Sequence, residues 1–78
     1  MDLQSFIHRL TEVFEDTDPE RIKPQANFRE IEGYSSLVAF LIMGMANDEY
    51  NVNLTAGDMR KSNTIEDIYS IIKSKIQN

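Results

Sequence analysis

Ser35-Ser36-Leu37-Val38-Ala39-Phe40-Leu41-Ile42-Met43-Gly44-Met45-Ala46 is the stretch on which the fold turns, a pair of hydroxyl residues followed by the longest apolar run in the chain. The run from Leu37 to Ala46 is about half of the ~20 residues needed to cross a bilayer, and it shows no strand-like alternation. It reads as a helix of a soluble protein, with Ser36 as its N-cap and its end near Tyr50. The core stripe expected of it is Leu37, Phe40 and Met43, joined by Ile42, Ala46 and Tyr50.

Upstream, Leu3, Phe6, Ile7, Leu10, Val13 and Phe14 are spaced by three and four, which puts them on one stripe of a first helix. Asp2 can cap its first turn, and Asp18-Pro19 lies at or beyond its end, so the spacing predicts a helix over 2–16. Residues 17–35 hold both prolines and Gly33, with apolar side chains only at Ile22, Ala26, Phe28, Ile31 and Tyr34. A linker would be polar throughout; here Phe28 and Ile31 are placed to dip into the core and pin a long loop, of a length that is often functional. Downstream, Thr55-Ala56-Gly57-Asp58 is a Thr-x-x-acid start signal for a short helix or turn ending near Lys61. Thr64-Ile65-Glu66-Asp67 is a second such signal, opening a helix with Ile65, Ile68, Ile71, Ile72 and Ile76 on one face. With no internal repeat or low-complexity tract, the expected fold is all-α. It is a single domain over residues 1–78, a small four-helix bundle of three main helices and one short one.

Composition narrows the function. The chain has 78 residues, 13 acidic and 8 basic, with one histidine, no cysteine and a formal net charge of -5. A chain of this size buries only roughly 60 to 65% of its unfolded surface, which leaves one core and no room for a deep active-site cavity. Without cysteine there is neither a disulfide framework nor a thiolate zinc site, and His8 alone builds no histidine cluster. The acidic balance opposes nucleic-acid binding and repels anionic membranes, and it favours basic protein partners. Asp2, His8, Arg9 and Glu12 interrupt any apolar stretch at the N-terminus, so no secretory leader is expected there and the chain reads as cytoplasmic.

No catalytic constellation emerges. His8 follows Ile7 beside the apolar stripe and reads as a surface or boundary residue. Asp16-Thr17-Asp18 opens like a calcium loop, but Arg21 stands where that loop turns on glycine. Gly33-Tyr34-Ser35-Ser36-Leu37 only partly matches the nucleophile elbow, since Leu37 takes the place of its last glycine and the chain is too short for the α/β sheet that carries such an elbow. No acid, base and nucleophile come together, so an enzyme is not expected.

A serine pair remains, at the junction of a glycine-bearing loop and a helix. Phe28-Arg29-Glu30-Ile31-Glu32-Gly33-Tyr34-Ser35-Ser36-Leu37 resembles the attachment loop of acyl carrier proteins, which ends in Asp-Ser-Leu; Ser36 and Leu37 match its last two residues. The resemblance covers nearly the whole chain, through Asp48-Glu49-Tyr50 and the segment after Leu54 to Asn63-Thr64-Ile65. It implies that a phosphopantetheinyl transferase moves 4′-phosphopantetheine from coenzyme A onto Ser36. It also implies that the arm's thiol then holds acyl groups as thioesters for acyl-transferring or condensing enzymes of fatty-acid, polyketide or related biosynthesis, with no catalysis by the carrier. An aminoacyl or peptidyl carrier would share fold and serine. A plain helical interaction module, with Ser36 only a cap, is the competing reading.

The sequence departs from the family pattern in two places. Ser35 replaces the aspartate that helps engage the transferase, which implies a matched enzyme. The second helix, usually acidic on its outer face, bears Val38, Leu41, Gly44 and Met45 there, with only Asp48 and Glu49 near its end. A helix apolar on nearly all sides is either fully buried or offers an interaction face. Val38, Leu41 and Met45 are expected to form an exposed strip beside Ser36, flanked by Ser35, Leu37 and Asp48, that docks a dedicated partner or weakly a second copy of a chain that is otherwise monomeric. Folding of the long loop over these side chains is the alternative. Eight acidic and four basic residues precede Gly33, against five and four after it, so most of the net charge falls on the first helix and the loop.

Overall fold

The computed structural model describes residues 2–76, and among them the chain forms four helices and no strands. They are α1 (Leu3–Val13), α2 (Ser36–Tyr50), α3 (Ala56–Lys61) and α4 (Ile65–Ile76), with single 3-10 turns at Pro19–Arg21 and Phe28–Glu30 in the long loop. The expected bundle of three main helices and one short one is the one observed.

Each helix starts where a side chain can cap it. Asp2 Oδ1 accepts the Ser5 N–H at 2.8 Å. Thr55 and Asp58 form a reciprocal capping box, with Asp58 N–H donating to Thr55 Oγ1 at 3.0 Å and Thr55 N–H to Asp58 Oδ2 at 2.9 Å. Thr64 and Asp67 repeat the device, and Asp67 Oδ2 also takes the Asn63 N–H at 2.9 Å. These bonds favour the ionised carboxylate, and all three aspartates are held below the ordinary value of 3.8: Asp2 first by the Ser5 N–H, Asp58 first by Lys75, Asp67 first by the Thr64 N–H. At the other end of α2, Asn51 takes the left-handed conformation (φ 54°), and the Val52 N–H reaches back to the Ala46 carbonyl at 3.2 Å. That closes the helix in a Schellman-type turn.

α1 is shorter than the predicted 2–16. Asp2 is its cap rather than a helical residue, and the chain leaves the helix at Phe14 (φ -91°, ψ 60°). Glu15, Asp16 and Asp18 follow, and negative charge at a helix C-terminus opposes the helix dipole, so extension is disfavoured. Leaving the helix also lets Phe14 turn into the core, where its ring lies 6.4 Å from that of Tyr34.

The core is a single cluster in which Phe6, Leu10, Phe28, Ile42, Ala46, Ile65, Ile68 and Ile72 have no exposed surface. Full burial of one such large aliphatic or aromatic side chain is worth about 1.5 to 3 kcal/mol. The long loop belongs to it: Ile22, Phe28 and Ile31 are buried, as Phe28 and Ile31 were expected to be. The loop is also stitched to the start of α4, where the Ile65 N–H donates to the Ala26 carbonyl at 3.1 Å and the Glu66 N–H to that of Pro24 at 2.9 Å. Arg29 covers the ring face of Phe28 at 4.7 Å and donates to the Met59 carbonyl at 2.7 Å, tying the loop to α3. Lys75 ties the last turn of α4 to the first of α3, donating to Asp58 Oδ2 at 2.5 Å and to the Asn53 carbonyl at 2.7 Å.

Two assignments of helix faces change. In α4, Ile65, Ile68 and Ile72 are buried, while Ile71 is half-buried and Ile76, in the last turn, is 43% exposed. In α2 the buried face is Val38, Ile42 and Ala46, spaced by four, and the expected stripe of Leu37, Phe40 and Met43 is turned away from it: Leu37 and Phe40 are exposed and Met43 is half-buried. A helix apolar all round has no preferred face of its own, so the packing partners choose it. Gly44 lies mid-helix at a cost of about 0.5 to 1 kcal/mol relative to alanine. A Cβ there would meet nothing within 4 Å, so internal packing does not require glycine.

Candidate functional site

The candidate site is the entry to α2. Gly33 has φ +96°, a conformation L side chains rarely adopt, and a Cβ on it would stand 3.0 Å from Thr17 Oγ1. That hydroxyl donates to the Glu32 carbonyl at 2.7 Å, latching the segment after α1 to the turn before α2. The Tyr34 N–H closes the turn onto the Ile31 carbonyl at 3.0 Å. Its ring meets Phe28 edge-on at 5.5 Å, so the backbone reaches Ser35 on a packed base.

Ser35, not Ser36, is the N-cap. Ser35 is extended (φ -157°, ψ 175°), and its Oγ accepts the Val38 N–H at 3.3 Å. Ser36 is the first helical residue and is exposed. The correction follows from geometry: a capping oxygen reaches the N–H two or three positions on, and from Ser35 that donor is Val38. Its chemical consequence is that the Ser36 hydroxyl is not taken up by the cap. The N–H groups of Ser36 and Leu37 have no acceptor within the helix, and the positive end of a 15-residue helix lies behind them. A phosphodiester on Ser36 Oγ would face these donors, a setting worth about 0.3 to 1 kcal/mol at an exposed position. The residues present therefore fit a phosphate-linked group.

A search with protein-family models matches residues 3–72 to the phosphopantetheine attachment site family. The chain belongs to that family. Its members carry covalently attached 4′-phosphopantetheine, act as carrier domains rather than catalysts, and interact with phosphopantetheinyl transferases and biosynthetic enzymes. Comparison with curated proteins finds no match. Among the described residues of this carrier domain, no helix is long and apolar enough to cross a membrane, and no three potential metal ligands cluster. His8 is exposed on α1.

The residues named from the sequence as a docking face do not all lie on one. Ser35 and Leu37 are exposed beside Ser36, Leu41 is 44% exposed, Asp48 is exposed and Met45 is half-buried. Val38 is buried, since the register that caps α2 at Ser35 points position 38 inward with Ile42 and Ala46. The exposed apolar strip of the carrier domain is instead Leu37, Phe40 and Leu41. Phe40, assigned to the core, is 69% exposed, while Val38 joins the core cluster. Sequence reading also missed Arg9, Glu12 and Glu15 of α1 and its following turn, which line a groove with α2. Their signal was the excess of acid before Gly33, which had no direction until α1 was placed.

Proposed function

We propose that the chain is an acyl carrier protein, with Ser36 as the residue that receives 4′-phosphopantetheine. What carries the reading is the division of labour between adjacent serines: Ser35 caps α2, and Ser36 offers an exposed hydroxyl at its first turn. In the modification, the Ser36 Oγ–phosphorus bond forms as the phosphoanhydride bond of coenzyme A breaks. Adenosine bisphosphate leaves, and the hydroxyl proton passes to the transferase. Held on Ser36, the arm would supply a thiol able to carry acyl groups as thioesters for fatty-acid, polyketide or related specialised biosynthesis in the cytoplasm. A flexible tether on a rigid helix end raises the local concentration of the cargo at each docked enzyme to about the millimolar range. This suits a domain whose groove between α1 and α2 lies open at the surface. The apolar outer face of α2 supports a dedicated pathway with its own partners over a general one.

Intact mass after incubation with coenzyme A and a broad-specificity phosphopantetheinyl transferase tests the proposal. The expected result is a gain of one phosphopantetheine unit that is absent in Ser36→Ala. If the wild type is unmodified, Ser35→Asp restores the motif aspartate and should gain the unit. Failure of both, or a gain that persists in Ser36→Ala, refutes the assignment.

A further inference from the structure

Thr17 and Glu32 are 15 residues apart in the chain, yet the Thr17 hydroxyl donates to the Glu32 carbonyl at 2.7 Å. A turn brings it there, closed by the Thr17 N–H on the Phe14 carbonyl at 3.0 Å just past the end of α1. On the far side of the bond only Gly33, Tyr34 and Ser35 separate Glu32 from Ser36. Whatever fixes the Glu32 carbonyl therefore fixes the approach of the backbone to the exposed serine.

Little else fixes it. Among the described residues, no other hydrogen bond joins residues 14–17 to residues 31–36. The rings of Phe14 and Tyr34 also meet across the two segments, 6.4 Å apart and tilted, but apolar contact is non-directional and lets the rings slide. There is room to move as well: Thr17, Gly33 and Ser35 line a hollow of about 210 Å³ between the end of α1 and the start of α2. Gly33 supplies a hinge, since its φ of +96° lies where glycine passes freely. Both segments are acidic, with Glu15, Asp16 and Asp18 on one and Glu30 and Glu32 on the other, and among the described residues none of these is paired with a basic group. Like charge favours parting of the segments, and the one directional bond opposes it.

We infer that Thr17 is a positioning residue for the modification of Ser36: its hydroxyl, acting through the Glu32 carbonyl, holds the Gly33 turn so that the Ser36 hydroxyl meets the transferase in a single orientation. Thr17 itself touches neither the incoming group nor Ser36. Without its donor the turn pivots on Gly33, and only a fraction of the molecules present the serine correctly at any moment. A transferase that binds that fraction sees a weaker substrate, with the loss in KM rather than in kcat. The inference rests on Ser36 being the attachment residue.

The test measures initial rates of 4′-phosphopantetheine transfer from coenzyme A by a broad-specificity transferase over a range of carrier concentrations, read by intact mass at one temperature below every thermal midpoint. Thr17→Val keeps the shape and removes the donor, and Thr17→Ser keeps the donor. Ile72→Val, buried in α4, loses comparable stability away from the turn. Thr17→Val should lose about fivefold in kcat/KM, mostly as a raised KM, while Thr17→Ser and Ile72→Val match wild type. On the unmodified proteins, the amides of Tyr34 and Val38 should exchange faster in Thr17→Val than in Ile72→Val. Wild-type rates in Thr17→Val, an equal loss in Ile72→Val, no rescue by Thr17→Ser, or a loss confined to kcat would overturn the inference. If wild type is not loaded, the same series is run in Ser35→Asp. Failure of both backgrounds to load overturns the attachment reading and this inference together, whereas loading that ignores Thr17→Val overturns the inference alone.

Discussion

Replacing Gly33 with alanine tests how the chain holds the entry to α2. At φ +96° an L residue is strained by about 1 to 3 kcal/mol. The new Cβ would also stand 3.0 Å from Thr17 Oγ1, forcing that hydroxyl to give by a few tenths of an ångström. It has little freedom to do so while it donates to the Glu32 carbonyl at 2.7 Å, and losing that bond adds about 0.5 to 1.5 kcal/mol. Gly33→Ala should therefore cost about 3 kcal/mol in total, against roughly 4 to 12 kcal/mol of stability for a domain this size. At about 4 to 8 °C per kcal/mol, the thermal midpoint should fall by at least 12 °C. Thr17→Ala alone loses only the hydrogen bond, about 1 kcal/mol. The double variant should cost about 1 kcal/mol less than the sum, because both single changes sacrifice the same bond. Urea titrations of the four proteins at one temperature measure the cycle. A neutral Gly33→Ala, or costs that simply add, would refute the account of the latch.

Three further outcomes follow from the caps and the outer helix face. Ser35→Ala should lose about 0.5 kcal/mol in urea, the low end for a cap because its bond to the Val38 N–H is long at 3.3 Å, whereas Ser35→Asp should retain the cap. Asp58, held below 3.8 first by Lys75 and then by the Thr55 N–H, contributes stability that is full above that value and lost as pH falls through its lower folded value. Asp58→Asn should thus be less stable than wild type at about pH 7, with the gap narrowing as pH falls below 3.8, as read by urea midpoints; a gap unchanged with pH argues against the ion pair. Gly44→Ala should raise the thermal midpoint by about 2 to 8 °C, since it removes a mid-helix glycine and its Cβ meets nothing.

What could be read without coordinates was whatever is encoded within a few residues. The helix starts at Asp2, Thr55 and Thr64 are local hydrogen-bond patterns, and the inward pull of Phe28 and Ile31 follows from apolar side chains isolated in a polar loop. The attachment chemistry, by contrast, was read from a resemblance that runs through nearly the whole chain, of which the Ser36-Leu37 pair is one part. Amphipathic α1 could be oriented as well, because one stripe holds all its large apolar residues.

α2 could not. With apolar residues on every side, any rotation about its axis buries a similar surface, and the periodicity that orients α1 carries no information. Only assembly against α1 and α4 selects Val38, Ile42 and Ala46 for the core and turns Leu37, Phe40 and Leu41 outward. The same packing sets Glu12 and Glu15 beside Gly44 of α2, whereas the cap at Ser35 is fixed by where the helix begins. Sequence alone determined which segments are helices; tertiary structure decided which faces the helices show, because a face is chosen by the neighbours that cover it.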